Sequence, residues 1–291
     1  MGSSAQSAAA AVEAASGSGG EAAAALLAVL GRAGLGAALI LAALAAACYG
    51  LSLLHPGAGR EGSPAPQGEQ APRGGWARWA GRFLRGGWAR RGGWALAGAW
   101  TGLAVASGAL VAGLVGDRFA LAYVTRSSAR ALPVAYKVAA WWSGQEGSLL
   151  LWALLLATYA LLVRWRHGHS PTGRGALAVL SGLVAFFGLL LVLVASPFRL
   201  LLPAPPDGRG LNPLLQSYWM ISHPVLLYLG FVGLSVPYAL AMGGLMSGDA
   251  GFGWIHLLRR WTLAAWLFLS LGILVGARWA YEELGWGGYW G

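Results

Sequence analysis

Ala176-Leu177-Ala178-Val179-Leu180-Ser181-Gly182-Leu183-Val184-Ala185-Phe186-Phe187-Gly188-Leu189-Leu190-Leu191-Val192-Leu193-Val194-Ala195 is a run of 20 residues without a charge. At about 1.5 Å per residue, a helix of that length crosses the ~30 Å hydrocarbon core of a bilayer. A helix also satisfies its backbone hydrogen bonds within one segment, which hydrocarbon demands. Similar stretches occur at Ala33–Leu54, Trp94–Val115, Gly147–Val163, Val225–Met246 and Trp261–Tyr281. Gly147–Val163 is the shortest and borrows Trp141, Trp142 and Trp165 as interfacial anchors. The fold class is therefore all-α: a polytopic membrane helical bundle of about six transmembrane helices over residues 22–281.

Composition supports the same reading. Apolar residues make up 57% of the chain and charged residues 10%, too few to solvate a globule of this size. The net charge of +10 would suit nucleic acid, but the Arg residues lie in the loops between apolar runs. Lys and Arg number seven, four, three, two and two in the five loops, so the odd loops carry twelve and the even loops six. The positive-inside rule puts the odd loops in the cytoplasm and the N-terminal tail outside. A lone Cys48 excludes an intrachain disulfide and a cysteine metal site, and its plain role is packing.

Residues 1–21 are Ala, Ser and Gly with little else, a flexible tail for which an Ala-rich helical extension is the alternative. The loop 55–93 repeats Arg73-Gly74-Gly75-Trp76, Arg85-Gly86-Gly87-Trp88 and Arg91-Gly92-Gly93-Trp94. Arg/Gly segments with aromatics bind single-stranded RNA. Beside a membrane span, Arg meeting headgroups and Trp at the interface is the better account, and no nucleic-acid partner is expected. Loop four holds Pro197, Pro203, Pro205, Pro206 and Pro213 and should be irregular. Pro224 fits the first turn of the fifth span, and Pro237 should kink it.

Of five histidines, His55, His167, His169 and His256 read as solvated loop residues. His223 alone combines a span boundary, a following proline and aromatic neighbours (Tyr218, Trp219, Tyr228). Neutral imidazole is a good haem-iron ligand; the competing reading is an interfacial histidine holding a backbone carbonyl. The chain ends in a cluster of Trp279, Tyr281, Trp286, Tyr289 and Trp290, with Gly285, Gly287 and Gly288 interleaved. Aromatics at a span end usually form the interfacial belt, but the glycines add close approach to a flat ligand. Glu282 and Glu283 could pair with Arg278, and no spaced carboxylate pair suits hydrolysis. A transporter would need polar residues inside its spans, which are nearly free of them, and a b-cytochrome subunit would need paired histidines within spans.

Four motifs, in order, then narrow the choice. They are Trp142-Ser143-Gly144-Gln145-Glu146-Gly147-Ser148-Leu149-Leu150-Leu151-Trp152, the loop-four stretch from Leu202 to Gln216, His223-Pro224-Val225-Leu226-Leu227-Tyr228-Leu229-Gly230, and Trp261 to Trp266 running on through Trp279 to Trp290. From about residue 94 onward the chain resembles the N-terminal part of the CcmF/NrfE family, haem lyase subunits of bacterial cytochrome c maturation. A CcmC- or CcsA-like haem-delivery protein shares the tryptophan segment but not the loop-four motif.

The resemblance implies that His223 is the first of two periplasmic axial ligands to haem. It also implies that Trp286, Gly287, Gly288 and Trp290 open the tryptophan-rich (WWD) haem-handling segment at residues 282–291. The expected cofactor is haem b, and no residue here is expected to be catalytic in itself. Expected partners are a CcmE-type haem chaperone, CcmH/CcmI-type subunits, apocytochrome c and the lipid of the bacterial inner membrane. In the family the tryptophan segment, a second periplasmic histidine and a transmembrane histidine pair all continue downstream. The chain therefore reads as the front of a longer protein, and these 291 residues alone are not expected to attach haem covalently.

Overall fold

Nine α-helices and two short 3-10 turns, joined by loops, are found among the described residues of the computed structural model, which are 2–54, 87–248 and 253–285. The helices are α1 (Gly2–Leu54), α2 (Trp88–Val115), α3 (Ala122–Ser127), α4 (Val134–Ala139), α5 (Gln145–His167), α6 (Pro171–Leu193), α7 (Tyr218–Gly233), α8 (Ser235–Ser247) and α9 (Gly253–Leu284). Six segments are long and apolar enough to cross a membrane: Gly19–Leu54 within α1, α2, α5, α6, Ile221–Ser247 across α7 and α8, and Gly253–Glu283 within α9. The fold is an all-helical membrane bundle, and the one β feature among the described residues is the isolated bridge Leu121–Leu200.

Small residues let the helices touch backbone to backbone, as expected where lipid removes the hydrophobic drive between helices. A Cβ placed on Gly34 of α1 would lie 2.5 Å from the Gly102 carbonyl of α2, and one on Gly102 would lie 2.5 Å from the Gly34 carbonyl. Buried Leu35, Ala38, Ala42 and Ala45 of α1 face Leu96, Ala99, Leu103 and Ala106 of α2 around that crossing. On its other flank α1 packs along α6, and α6 in turn meets α5 and α8. The most exposed of the spans is α9, which lies against α7 and α8.

Several boundaries differ from the sequence reading for identifiable reasons. Helix α2 begins at Trp88 rather than at Trp94, because Gly92 and Gly93 are buried packing residues. Gly92 lies against Tyr49, and a Cβ on Gly93 would fall 2.1 Å from Arg164 Nε. The third Arg-Gly-Gly-Trp repeat thus passes a guanidinium over bare backbone; the first repeat lies outside the described residues. Residues 2–21, read above as a tail with a helical extension as the alternative, belong to α1, in keeping with alanine's helix propensity. Pro224 is not in a first turn. Ser217 caps α7 seven residues earlier, so the proline falls at the seventh helical position. The fifth span is broken at Leu234, where Pro237 has no N–H to offer the Gly233 carbonyl.

Loops two and four pack on each other at one end of the bundle. Leu201 N–H donates to Ala120 O at 2.8 Å and Ala122 N–H to Arg199 O at 2.8 Å. Arg32 of α1 donates through Nε and Nη2 to the Phe198 carbonyl at 3.1 and 2.6 Å. Glu21 accepts from the Ala204 amide at 3.2 Å. A proline-rich loop, short of its own backbone pairing, is thereby fixed by loop two and α1.

Candidate functional site

The start of α7 and the end of α9 lie side by side at that same end of the bundle, and His223 sits between them. Asn212 caps the 3-10 turn Pro213–Leu215, and Ser217 Oγ accepts from Trp219 N–H at 3.3 Å to start α7. These caps place His223 on the side of α7 that faces α9. There its Nδ1 lies 2.8 Å from the Gly272 carbonyl. A carbonyl only accepts, so Nδ1 is the donor, and in the neutral imidazole the lone pair is then on Nε2. The carbonyl contact of the competing reading is therefore present, and it is also the contact that orients a ligating imidazole.

The imidazole fits because α9 has no side chain in its way. A Cβ on Gly276 would lie 2.4 Å from His223 Cε1 and 2.6 Å from Nδ1. One on Gly272 would lie 2.7 Å from Leu227 N, and one on Gly230 would lie 2.3 Å from Leu269 N, so α7 and α9 touch along their backbones. Trp279, one turn beyond Gly276, lies parallel to the imidazole with ring centroids 6.4 Å apart and planes 5° apart. Its Nε1 donates to Leu214 O at 3.1 Å, tying the end of α9 to the turn before α7. Trp219 Nε1 donates to Glu282, which also pairs with Arg278 at 2.5 Å.

The aromatic shell differs from the one the sequence offered. Tyr228 turns to Trp152 of α5, with centroids 6.2 Å apart, and Tyr218 packs edge-on against Trp219. Trp279, which the sequence placed in the terminal aromatic cluster but not among the expected haem contacts, is the ring stacked on His223. Gly272 and Gly276 gave no signal of their own, since glycine in an apolar run declares close packing only once its neighbour is known. Trp286, Gly287, Gly288 and Trp290 lie outside the described residues. His167 and His256 line a separate cleft of about 590 Å³, between the end of α5 and the start of α9, away from His223. Among the described residues no group of three or more His, Cys, Asp or Glu could hold a metal ion.

The two loop motifs meet around Tyr123. Its hydroxyl lies 2.8 Å from the carbonyls of Ala140 and of Trp141 and accepts from the Gly144 amide at 3.1 Å. Burial pushes the phenol well above its usual range, so it remains a donor. A Cβ on Gly147 would fall 2.3 Å from that hydroxyl, which explains a glycine after Glu146. From loop four, Arg209 N–H donates to Thr125 O at 2.7 Å and Gly210 N–H to Ser128 O at 3.0 Å.

The family model described as cytochrome C assembly protein matches residues 142–291. The cytochrome c-type biogenesis protein CcmF of Pseudomonas aeruginosa is 46% identical over 191 residues, covering 65% of this chain and 29% of its own length. The CcmF of Escherichia coli is 45% identical over 184 residues, 62% of this chain and 28% of its own. NrfE of Haemophilus influenzae, also a cytochrome c-type biogenesis protein, is 41% identical over 176 residues, covering 60% of this chain and 28% of its own. A solved structure of the cytochrome c haem lyase CcmF superposes with a TM-score of 0.69 at 33% identity, covering 91% of this chain and 38% of that one. The chain spans less than a third of the length of these curated relatives.

Proposed function

From the premise that the chain belongs to the cytochrome c assembly protein family, we propose that it forms the haem-holding front of a CcmF-type haem lyase. In this reading the whole protein takes haem from a CcmE-type chaperone at the periplasmic face of the bacterial inner membrane. It then presents the haem to apocytochrome c delivered by CcmH/CcmI-type subunits. The substrate supplies the vinyl groups to which the cysteine thiols of the apocytochrome add, forming thioethers.

The carrying observation is the 2.8 Å contact from His223 Nδ1 to the Gly272 carbonyl. It fixes the tautomer, turns Nε2 into the free donor atom, and raises its basicity toward iron. Gly276 leaves room for the ring, and Trp279 limits its rotation. Trp286, Gly287, Gly288 and Trp290 follow directly after α9, and α9 ends beside α7. The proposed tryptophan segment and the proposed ligand therefore start from neighbouring helix ends. The b-type haem and the second ligand belong to the whole protein. The chemical contribution of this part is alignment: a ligand held in one orientation brings reacting groups together without a further entropy cost at the moment of reaction.

The test is haem binding by the purified full chain. Wild-type protein should take up haem with a Soret band characteristic of histidine ligation, and His223→Ala should lose that band. Equal haem content and identical spectra in the two proteins would end the assignment. Reporter fusions in loop four and after α9 should both report the periplasm.

A further inference from the structure

The charge at the loop end of the bundle is unbalanced on a side the haem reading does not use. Arg126, Arg199 and Arg209 line a cleft of about 300 Å³, together with Glu146, Tyr123 and Ser196. Hydrogen bonds and an ion pair hold the scaffold that places them. Arg199 flanks the Leu121–Leu200 bridge, Arg209 is held through its amide on Thr125, and Arg126 pairs with Glu146 at 2.6 Å. Among the described residues, the guanidinium groups of Arg199 and Arg209 have no acidic partner.

Ser196 and Arg199 also form the wall of a second cleft of about 450 Å³, which continues downward over Leu35, Val192, Leu193 and Val194 with Arg32 at its side. Leu193 and Val194 are 71% and 78% exposed at the end of a membrane-spanning helix, where lipid chains are the natural neighbours. Cationic groups directly above an exposed apolar groove match one kind of ligand, an anionic headgroup on hydrocarbon chains. A porphyrin carries carboxylates too, but the residues lining the groove include no His, Met or Cys to meet its iron.

We propose that this joined cleft, built by the loop-two and loop-four motifs, is a binding site for an anionic phospholipid. The phosphate sits between Arg199 and Arg209, and an acyl chain lies along the groove between α1 and α6. Basic pockets between membrane helices hold anionic headgroups on this principle. The site is independent of haem. It also gives a role to the Glu146 and Arg209 motifs that the His223 site leaves unused: Glu146 restrains Arg126, so that the two unpaired guanidiniums define the anion position.

Native mass spectrometry of the full chain, equilibrated with equal amounts of phosphatidylglycerol and phosphatidylcholine, tests this. The wild type should retain phosphatidylglycerol about tenfold in preference. Arg199→Gln/Arg209→Gln should abolish the preference, and Arg199→Lys should keep most of it. Arg166→Gln, at the opposite end of α5, should leave it unchanged. Both cleft arginines are exposed, so the substitutions spare the core. An unchanged preference in the double variant would overturn the proposal. So would complete displacement of the lipid by inorganic phosphate, which would assign the cleft to a free anion.

Discussion

Replacing Gly276 by alanine should dislodge the imidazole of His223 without altering its chemistry. The new Cβ would stand 2.4 Å from Cε1, whereas carbon atoms settle at about 3.5–4.0 Å. The ring must therefore retreat by roughly 1 Å. The Nδ1–Gly272 contact, now 2.8 Å, would then exceed the distance at which it counts as a hydrogen bond. A bond of this kind contributes about 1 kcal/mol net, and losing the partner that orients a metal ligand typically weakens binding about 10- to 100-fold. Helix propensity acts in the opposite direction, since alanine is favoured over glycine by about 1 kcal/mol. The two roughly cancel, so little change in thermal stability with a loss of haem affinity would be diagnostic. The assay is haem titration followed at the Soret band, with Gly182→Ala as control because a Cβ there meets nothing within 4 Å. Affinity and spectrum for Gly276→Ala within about twofold of wild type would refute the reasoning, because a shift that small is well under 1 kcal/mol.

Three further outcomes follow from the loops and the helix contacts. Tyr123→Phe should destabilise the protein by about 1–3 kcal/mol, since the Ala140 and Trp141 carbonyls lose the one proton they share and the Gly144 amide loses its acceptor; differential scanning of the two proteins reads this. Lys137, buried and 2.6 Å from Asp117, should tolerate loss of that partner poorly, at about 3–5 kcal/mol for Asp117→Ala. Lys137→Met added to Asp117→Ala should recover much of that loss in the same unfolding measurement. Asp207 accepts from the amides of Arg130 and Gly208, and these bonds hold its carboxyl below its usual value of 3.8. A depressed value stabilises the fold above the unfolded pKa and stops doing so as pH falls through the folded one. The stability difference between wild type and Asp207→Ala should therefore be full at pH 7 and shrink below 3.8; equal differences at neutral and strongly acidic pH would contradict this.

The apolar runs announced the bundle because hydrocarbon leaves a chain so few choices. Their limits were less visible: Trp88 to Gly93 carry charge and glycine, yet they are helical because Tyr49 and Arg164 pack over them. His223 stood out by its boundary position and its proline, and the structure gives that imidazole a defined partner. The partner itself was not legible. Gly272 contributes a carbonyl, which every residue has, and Gly276 contributes the lack of a side chain. Trp279 resembled any other interfacial tryptophan until α7 was seen beside it. The loop motifs were conspicuous by their polarity, but only the packing of Arg199, Arg209 and Glu146 around one cleft gives them a common purpose.

Pro224 has a mechanical consequence for α7. Having no N–H, it leaves the Met220 carbonyl without its helical donor and weakens the ladder beside His223. The first turns of α7 then depend on cross-helix ties: His223 to Gly272, Trp219 to Glu282, and the Leu214 carbonyl to Trp279. Those ties all end on α9, so the opening segment of α7 is anchored to α9 as well as to its own helix. Hydrogen exchange should find Tyr218 to Ser222 opening independently of the rest of α7, and slowing once a ligand grips the imidazole.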